Sequence, residues 1–316
     1  MTQALEQRPY GSAGEKVTVV GLGGAPLGAR SFADGVATVH CALELGINYF
    51  DTAPLYSSGQ SQAIYGEALA GRSEDYMLAT KVGHLARPAR FRSPDALRAQ
   101  LEENLRLLRR DSVDVLQVHE SDQHCWWSDD GQRGQVQAGR EYDFAGAPVM
   151  EVLREARDEG RCRFIGITGN SADHVAQVLR HVEVDTCLYA FCYHLFGHGA
   201  RKEALPLARE KGVAIILGGI LRGAHLPEAH PDLLHAAPEW LTPELRDRFE
   251  KLYAVQRDCG LSLVALAIRF LLAEKDMTTM LIGATTPAEI KECVEAALQG
   301  PLPSDLHQAV EQIGAP

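Results

Sequence analysis

The sequence predicts an α/β protein of one domain, in which eight parallel strands and the helices between them close into a (β/α)8 barrel. Three observations carry that prediction. Short apolar, β-branched runs alternate with amphipathic helical stretches from residue 17 onward, the pattern of repeated βα units. Eight such runs occur, starting near residues 17, 49, 77, 113, 163, 187, 213 and 279, in a chain of 316 residues, and one barrel of roughly 250 residues plus insertions uses nearly all of it. A wide open sheet of the same strands would carry a glycine-rich phosphate turn early on. GLGGAPLG at 21–28 has Gly21 and Gly23 but Pro26 where the G-x-G-x-x-G spacing needs glycine, and no acid follows at the expected distance.

Taken in order, 17–22 (VTVVGL) is the first strand, 36–45 the helix after it, 48–51 the second strand and 77–82 (MLATKV) the third. In the helix predicted over 94–109, Leu97, Leu101, Leu105 and Leu108 recur at spacings of four, four and three, one face of a 3.6-residue period. The fourth strand is 113–119 (VDVLQVH), and a helix over 149–159 stops at Gly160. The fifth strand, 163–168 (RFIGIT), leads into a helix with Val175, Val178 and Leu179 on one side. Runs at 187–191, 213–217 and 279–283 complete the eight, with helices over 200–211, 244–272 (two, meeting near Gly260) and 287–298.

Most strand-to-strand gaps fit one βα unit; those of 50 and 66 residues leave room for more. The first of them holds 121–148, a polar, glycine-rich stretch without period directly after the fourth strand. Loops this long inside a compact domain tend to be lids or disordered, and segments after barrel strands lie on the catalytic face. Trp126 and Trp127 are therefore expected to cover a substrate there. Residues 301–316 read as a C-terminal tail of the same single domain, 1–316.

The formal net charge of −11 argues against nucleic acid as principal partner, because that affinity comes from clustered Lys and Arg. No apolar run approaches the ~20 residues of a membrane span; the longest, 261–272, is broken by Ser262 and Arg269. The opening MTQALEQRPY has neither the basic nor the apolar region of a secretory signal. Seven cysteines form no CxxC pair and are odd in number, which suits a reducing cytoplasm and buried thiols. The expectation is a cytoplasmic protein acting on a small molecule, with no nucleic-acid or membrane partner.

Catalytic groups of a barrel sit at the C-terminal ends of its strands. The polar residues there are Asp51, Lys81, His119 and Thr168, with Tyr56 five residues beyond Asp51. Singly, each fits a structural role: a helix cap, a snorkelling lysine, a core histidine. Together they divide a labour. A phenol titrates near 10, too high for easy proton exchange at neutral pH. An ammonium at Lys81 favours the phenolate and lowers that value, while Asp51 keeps the lysine charged. A carbonyl oxygen against Tyr56 and His119 meets a proton donor and a hydrogen-bond donor, which stabilise a developing alkoxide. No side chain supplies hydride, so a cofactor must. His119, Asp122, His124 and Cys125 match no strong zinc spacing, and no metal is expected.

DTAPLYSSGQSQAIYGEAL at 51–69, LATKVG at 78–83 and VDVLQVHE at 113–120 resemble the three signatures of the aldo-keto reductases. GRCRFIGITGN at 160–170 and LIGATTPAEIKE at 281–292 resemble that family's cofactor-binding strand ends. The resemblance spans roughly residues 8–300. It implies a TIM barrel that holds NAD or NADP across its C-terminal face, and a tetrad of Asp51, Tyr56, Lys81 and His119 in which Tyr56 exchanges the proton. It further implies cofactor contacts from Gly24, Ala25, Asp51, Thr168, Asn170, Gly218, Gly219, Arg222, Gly283, Ala284, Thr285, Thr286, Glu289 and Glu292. Within the family, GLGGAPLG, Ala190-x-x-Tyr193 and Gly218-Gly219 resemble the branch of aldose 1-dehydrogenases. The chain departs from the common pattern at Thr168-Gly169-Asn170 for Ser-Asn, at Ala190 for Gln, at Gly218 for an aromatic, and at ILRGA 220–224.

Family members that prefer NADPH place Lys and Arg against its 2′-phosphate after the last strand, where this chain has Gly283 and Glu289. A carboxylate repels phosphate and accepts from a ribose hydroxyl, so NAD is favoured, with Lys291 close enough to oppose the preference. The expected substrate is a sugar or a small polar aldehyde. Two other readings stay open: a coenzyme-sensing or regulatory subunit with little turnover, and an aldolase with Lys81 as Schiff base. The latter needs a desolvated, neutral amine, which an Asp51 partner disfavours.

Overall fold

A hairpin comes first in the computed structural model of the chain, which describes residues 4–221, 229–236 and 238–314. Strands β1 (Gln7–Pro9) and β2 (Lys16–Thr18) pair antiparallel. Eight parallel strands follow: β3 (Val20–Gly23), β4 (Tyr49–Asp51), β5 (Met77–Val82), β6 (Val113–Val118), β7 (Cys162–Gly169), β8 (Thr186–Ala190), β9 (Ala214–Gly218) and β10 (Thr279–Ile282). Each pairs with the next, and β10 returns to β3 through Met280↔Val20 and Leu281↔Gly21, so the expected barrel closes without an edge.

The run expected as the first strand is divided. Val17 and Thr18 belong to the hairpin and Val20 to the barrel, with a bend at Val19. The Val19 amide donates to the Glu6 carbonyl at 2.9 Å and the Thr18 hydroxyl to the Val20 carbonyl at 2.8 Å. One apolar run thus serves two sheets, and hydropathy carries no mark of where it changes allegiance.

Alternate side chains along a strand face the same way. On the barrel side Tyr49, Met77, Val115, Ala214 and Ile216 form an inner core, and Tyr10 and Val17 of the hairpin close its floor. The same two-residue step leads from Tyr49 to Asp51, from Met77 through Ala79 to Lys81, and from Val115 through Gln117 to His119. Polar groups therefore top a column of apolar ones. Arg8 fixes the hairpin to the barrel: its buried guanidinium donates to the carbonyls of Leu272, Glu274 and Met277 at 3.0, 2.6 and 2.8 Å.

The outer helices form where period and caps agree. Pro94–Leu108 starts at a Ser93 cap whose Oγ accepts the Ala96 amide at 3.3 Å, buries Leu97, Leu101, Leu105 and Leu108, and ends at left-handed Arg109. Pro243–Cys259 and Leu263–Leu271 meet at Gly260, in the left-handed region at φ 71°. The helix expected over 200–211 is two, Gly199–Lys202 and Ala204–Glu210, divided at Glu203. Pro206 explains the break, since its ring clashes with the carbonyl four residues earlier. The expected tail contains a helix, Ser304–Gly314, whose Val310 and Ile313 are buried. Among the described residues no helix is long and apolar enough to cross a membrane.

Candidate active site

The inward register of β4 to β6 delivers three of the expected groups to one point. Lys81 Nζ donates to Asp51 Oδ1 at 2.5 Å and to the Thr52 carbonyl at 2.9 Å. Asp51 Oδ2 accepts from Gln117 Nε2 at 3.0 Å. Tyr56 follows β4 in a short turn, Tyr56–Gly59, that forces Ser57 and Ser58 into the left-handed region. The turn sets the Tyr56 ring 4.8 Å from Lys81 Nζ and edge-on to His119 with centroids 5.6 Å apart. All four expected groups converge.

Burial governs the charges. It pushes the Tyr56 phenol above its ordinary value, and the Lys81 ammonium offsets this only in part. The expected net lowering is thus reversed: desolvation of a phenolate outweighs the neighbouring charge. Burial opposes the Lys81 ammonium too, but Asp51 and Tyr56 prevail and hold its value up. At Asp51 desolvation raises the carboxyl in spite of Lys81 and Gln117. Burial, then Lys81 and His84, hold the His119 imidazole well below its usual value. It is neutral at pH 7, with Nδ1 enclosed and unpartnered among the described residues, which leaves Nε2 to meet a ligand.

These groups line a cavity of about 740 Å³ at the C-terminal ends of the strands, within the range of roughly 300–1,000 Å³ usual for cofactor and small-molecule sites. Of the residues expected to touch a cofactor, Gly24, Ala25, Asp51, Thr168, Asn170, Gly218, Gly219 and Gly283 lie on its wall. Ala284, Thr285, Thr286, Glu289 and Glu292 do not; they follow β10, with Glu289 and Glu292 in the helix Pro287–Leu298 and Glu292 accepting from Ser262 Oγ at 3.1 Å. There Thr286 caps the helix Pro287–Leu298, and Glu289 accepts from the Thr285 amide at 2.7 Å. Arg222 lies outside the described residues. Gly218, Gly219 and Gly283 let neighbouring side chains pack closely: a Cβ at Gly219 would lie 2.5 Å from the Phe191 ring and one at Gly283 3.1 Å from Pro26, so glycine at these positions lets Phe191 and Pro26 shape the wall.

The two tryptophans are not exposed cover. Trp126 and Trp127 are 0% and 4% exposed, and neither lines the cavity. Trp126 packs on Phe91 with centroids 4.6 Å apart and donates to the His119 carbonyl at 3.0 Å; Trp127 packs on Phe144 and donates to the Ser121 carbonyl at 2.7 Å. An indole with both a ring partner and an N–H acceptor is satisfied inside, so the segment folds onto the barrel around them. His124 and Asp122 are likewise engaged: His124 with Asp130 and Tyr142 at 2.9 and 2.7 Å, Asp122 with the amides of Asn170 and Ser171 at 2.9 and 3.0 Å.

Sequence reasoning missed His84, Glu120 and Phe191 on the cavity wall and Gln117 beneath Asp51. Gln117 was accessible through the Val115–Gln117–His119 alternation. The other three are non-glycine residues with φ of 53°, 57° and 61°, a conformation that composition does not announce and that clusters at functional sites. Arg30, also missed, lies 3.6 Å from Glu289 and donates to Thr285 Oγ1 at 3.1 Å.

Comparison with known proteins agrees with this geometry. Residues 19–315 match the model of the aldo/keto reductase family. L-Galactose dehydrogenase of Arabidopsis thaliana is 31% identical over 93% of this chain and 89% of its own. D-threo-Aldose 1-dehydrogenase of a Pseudomonas species is 27% identical over 92% of both chains. Pyridoxal 4-dehydrogenase of Microbacterium luteolum is 26% identical over 92% of this chain and 93% of its own.

Proposed function

The chain belongs to the aldo/keto reductase family, and from that premise we propose that it oxidises free aldoses at the anomeric carbon with NAD as preferred coenzyme. It is an NAD(P)-dependent oxidoreductase that interconverts a carbonyl and an alcohol or hemiacetal. The observation that carries the reading is the convergence of buried Asp51, Lys81 and His119 with half-buried Tyr56 on one cavity.

A bound nicotinamide would supply the hydride acceptor and donor that no side chain here provides. Thr168, Asn170, Gly218, Gly219 and Gly283 would hold the dinucleotide along the wall. In oxidation the Tyr56 phenolate takes the proton of the sugar's anomeric hydroxyl; in reduction the phenol gives it back to the carbonyl oxygen. Lys81 stabilises the phenolate, and Asp51 keeps Lys81 charged and aimed. Neutral His119 donates a hydrogen bond to the same oxygen and so steadies the charge that develops there. Sugar-directed names among the relatives, L-galactose and D-threo-aldose dehydrogenase, support an aldose as substrate.

The coenzyme preference rests on Glu289. Its carboxylate is tied to Thr285, and Arg30, its ion-pair partner among the described residues, is already engaged with both. A 2′-phosphate would have to compete for that arginine against a carboxylate. Steady-state oxidation of an aldose panel with each coenzyme tests both parts. The expected result is turnover of several aldoses with kcat/KM at least about tenfold higher for NAD, a difference of about 1.4 kcal/mol. Equal kcat/KM removes the preference, and no turnover of any aldose removes the substrate.

A further inference from the structure

Beside the main cavity lies a second chamber of about 210 Å³ that shares His84, His119 and Glu120 with it. Leu85, Ala86 and Phe91 supply the apolar part of its mostly polar wall, while Gln123 and Arg133 come from the segment inserted after β6. That segment is thus a wall of the site. The two turns that bring His84 and Glu120 here are both left-handed, at φ 53° and 57°, and Gly83 before them must lack a side chain: a Cβ there would lie 2.7 Å from His119 Cβ.

We propose that this chamber is the subsite for the hydroxylated tail of the substrate, with Glu120 and Arg133 as specificity-determining residues. The inference deepens the aldose reading and takes the reacting end at Tyr56 and His119 from it. Glu120 lines the same chamber as His119, so groups it meets are within a few atoms of the reacting carbon. Its Oε1 accepts from Asn170 Nδ2 at 3.0 Å and its Oε2 from Gln123 Nε2. His84 Nε2 stands 3.9 Å from the same Oε1; a carboxylate offers about four lone-pair sites, more than these partners use, so it can also accept a hydroxyl. Arg133 uses one N–H on the Ala86 carbonyl at 2.9 Å and has donors to spare. Acceptor and donor beside a Leu85–Phe91 wall suit a polyol, whose C–H edges pack while its hydroxyls both give and take. An alkyl tail leaves the polar groups unpaired, and an anionic tail meets Glu120.

Reduction of glyceraldehyde against propanal isolates the tail, since both are three-carbon aldehydes. Wild-type kcat/KM is expected to favour glyceraldehyde on the order of tenfold to a hundredfold, as for hydrogen bonds to charged groups. Glu120→Gln and Arg133→Ala should each shrink that ratio severalfold, chiefly through KM. For Arg133→Ala, whose side chain hydrogen-bonds Ala86 and does not line the main cavity, coenzyme Kd from fluorescence titration should stay within about twofold of wild type. A wild-type ratio near one, a ratio that neither variant moves, or a preference for an anionic aldehyde such as glyoxylate overturns the subsite. If aldoses are oxidised while the ratio is unmoved, the subsite fails and the aldose reading stands. If aldoses are not oxidised but the ratio depends on Glu120, the outcome is the reverse.

Discussion

At Tyr56 two fields oppose each other, and their balance sets the pH at which the protein works in each direction. Burial raises the phenol; the Lys81 ammonium beside it pulls it down without overcoming burial. Reduction needs the protonated form, which is therefore complete at neutrality. Oxidation needs the phenolate, whose fraction grows tenfold per pH unit below a value above 10. The kcat profile for oxidation should accordingly climb through the alkaline range, while that for reduction stays flat to about pH 9; an oxidation rate that levels off at pH 7 would contradict the assignment. Tyr56→Phe should lower kcat by about 10²–10⁴ in both directions and leave coenzyme Kd, read by fluorescence titration, unchanged. The identity of these residues was legible because strand-end polarity and the two-residue alternation are sequence properties. Their electrostatics were not, because desolvation depends on what the whole barrel packs around them.

Elements were legible where one run made one structure. Pro94–Leu108, with a leucine stripe and a serine cap, and Pro287–Leu298 appear where expected. The run at 17–22 and the helix at 200–211 each divide, because a change of partner sheet at Val19 and a proline ring at 206 act through contacts or clashes that hydropathy omits. The inserted segment hid its character differently: its polarity suggested a lid, whereas Trp126, Trp127, Val136 and Phe144 are buried beneath that polarity. Trp127→Ala should cost about 3–5 kcal/mol, the range for deleting a buried tryptophan, read as a lower denaturant midpoint. An exposed lid residue would cost almost nothing. In the hairpin, Arg8→Ala strands three carbonyls at the end of the helix Leu263–Leu271. It should cost about 2–4 kcal/mol. Arg8→Lys should restore only part of this, because one ammonium does not reproduce the fork.

Over the whole molecule, acid is the direction of weakness. Burial holds His119 well below its usual value and brings His198, packed on Phe270, down to about 4. An unfolded histidine titrates near 6.5, so below that pH the unfolded chain binds more protons and stability falls as pH drops towards about 4. Melting temperature should therefore fall between pH 7 and 5, and His198→Gln should flatten part of the slope; an unchanged slope would assign the effect elsewhere. The closed ladder has a last consequence, for biosynthesis. Because β3 finds one of its two neighbours in β10, a ribosome finishes almost the entire chain before the first barrel strand can be zipped on that side. At about 5–20 residues per second the wait is on the order of tens of seconds, and through it a nascent sheet presents two raw borders to every other strand in reach.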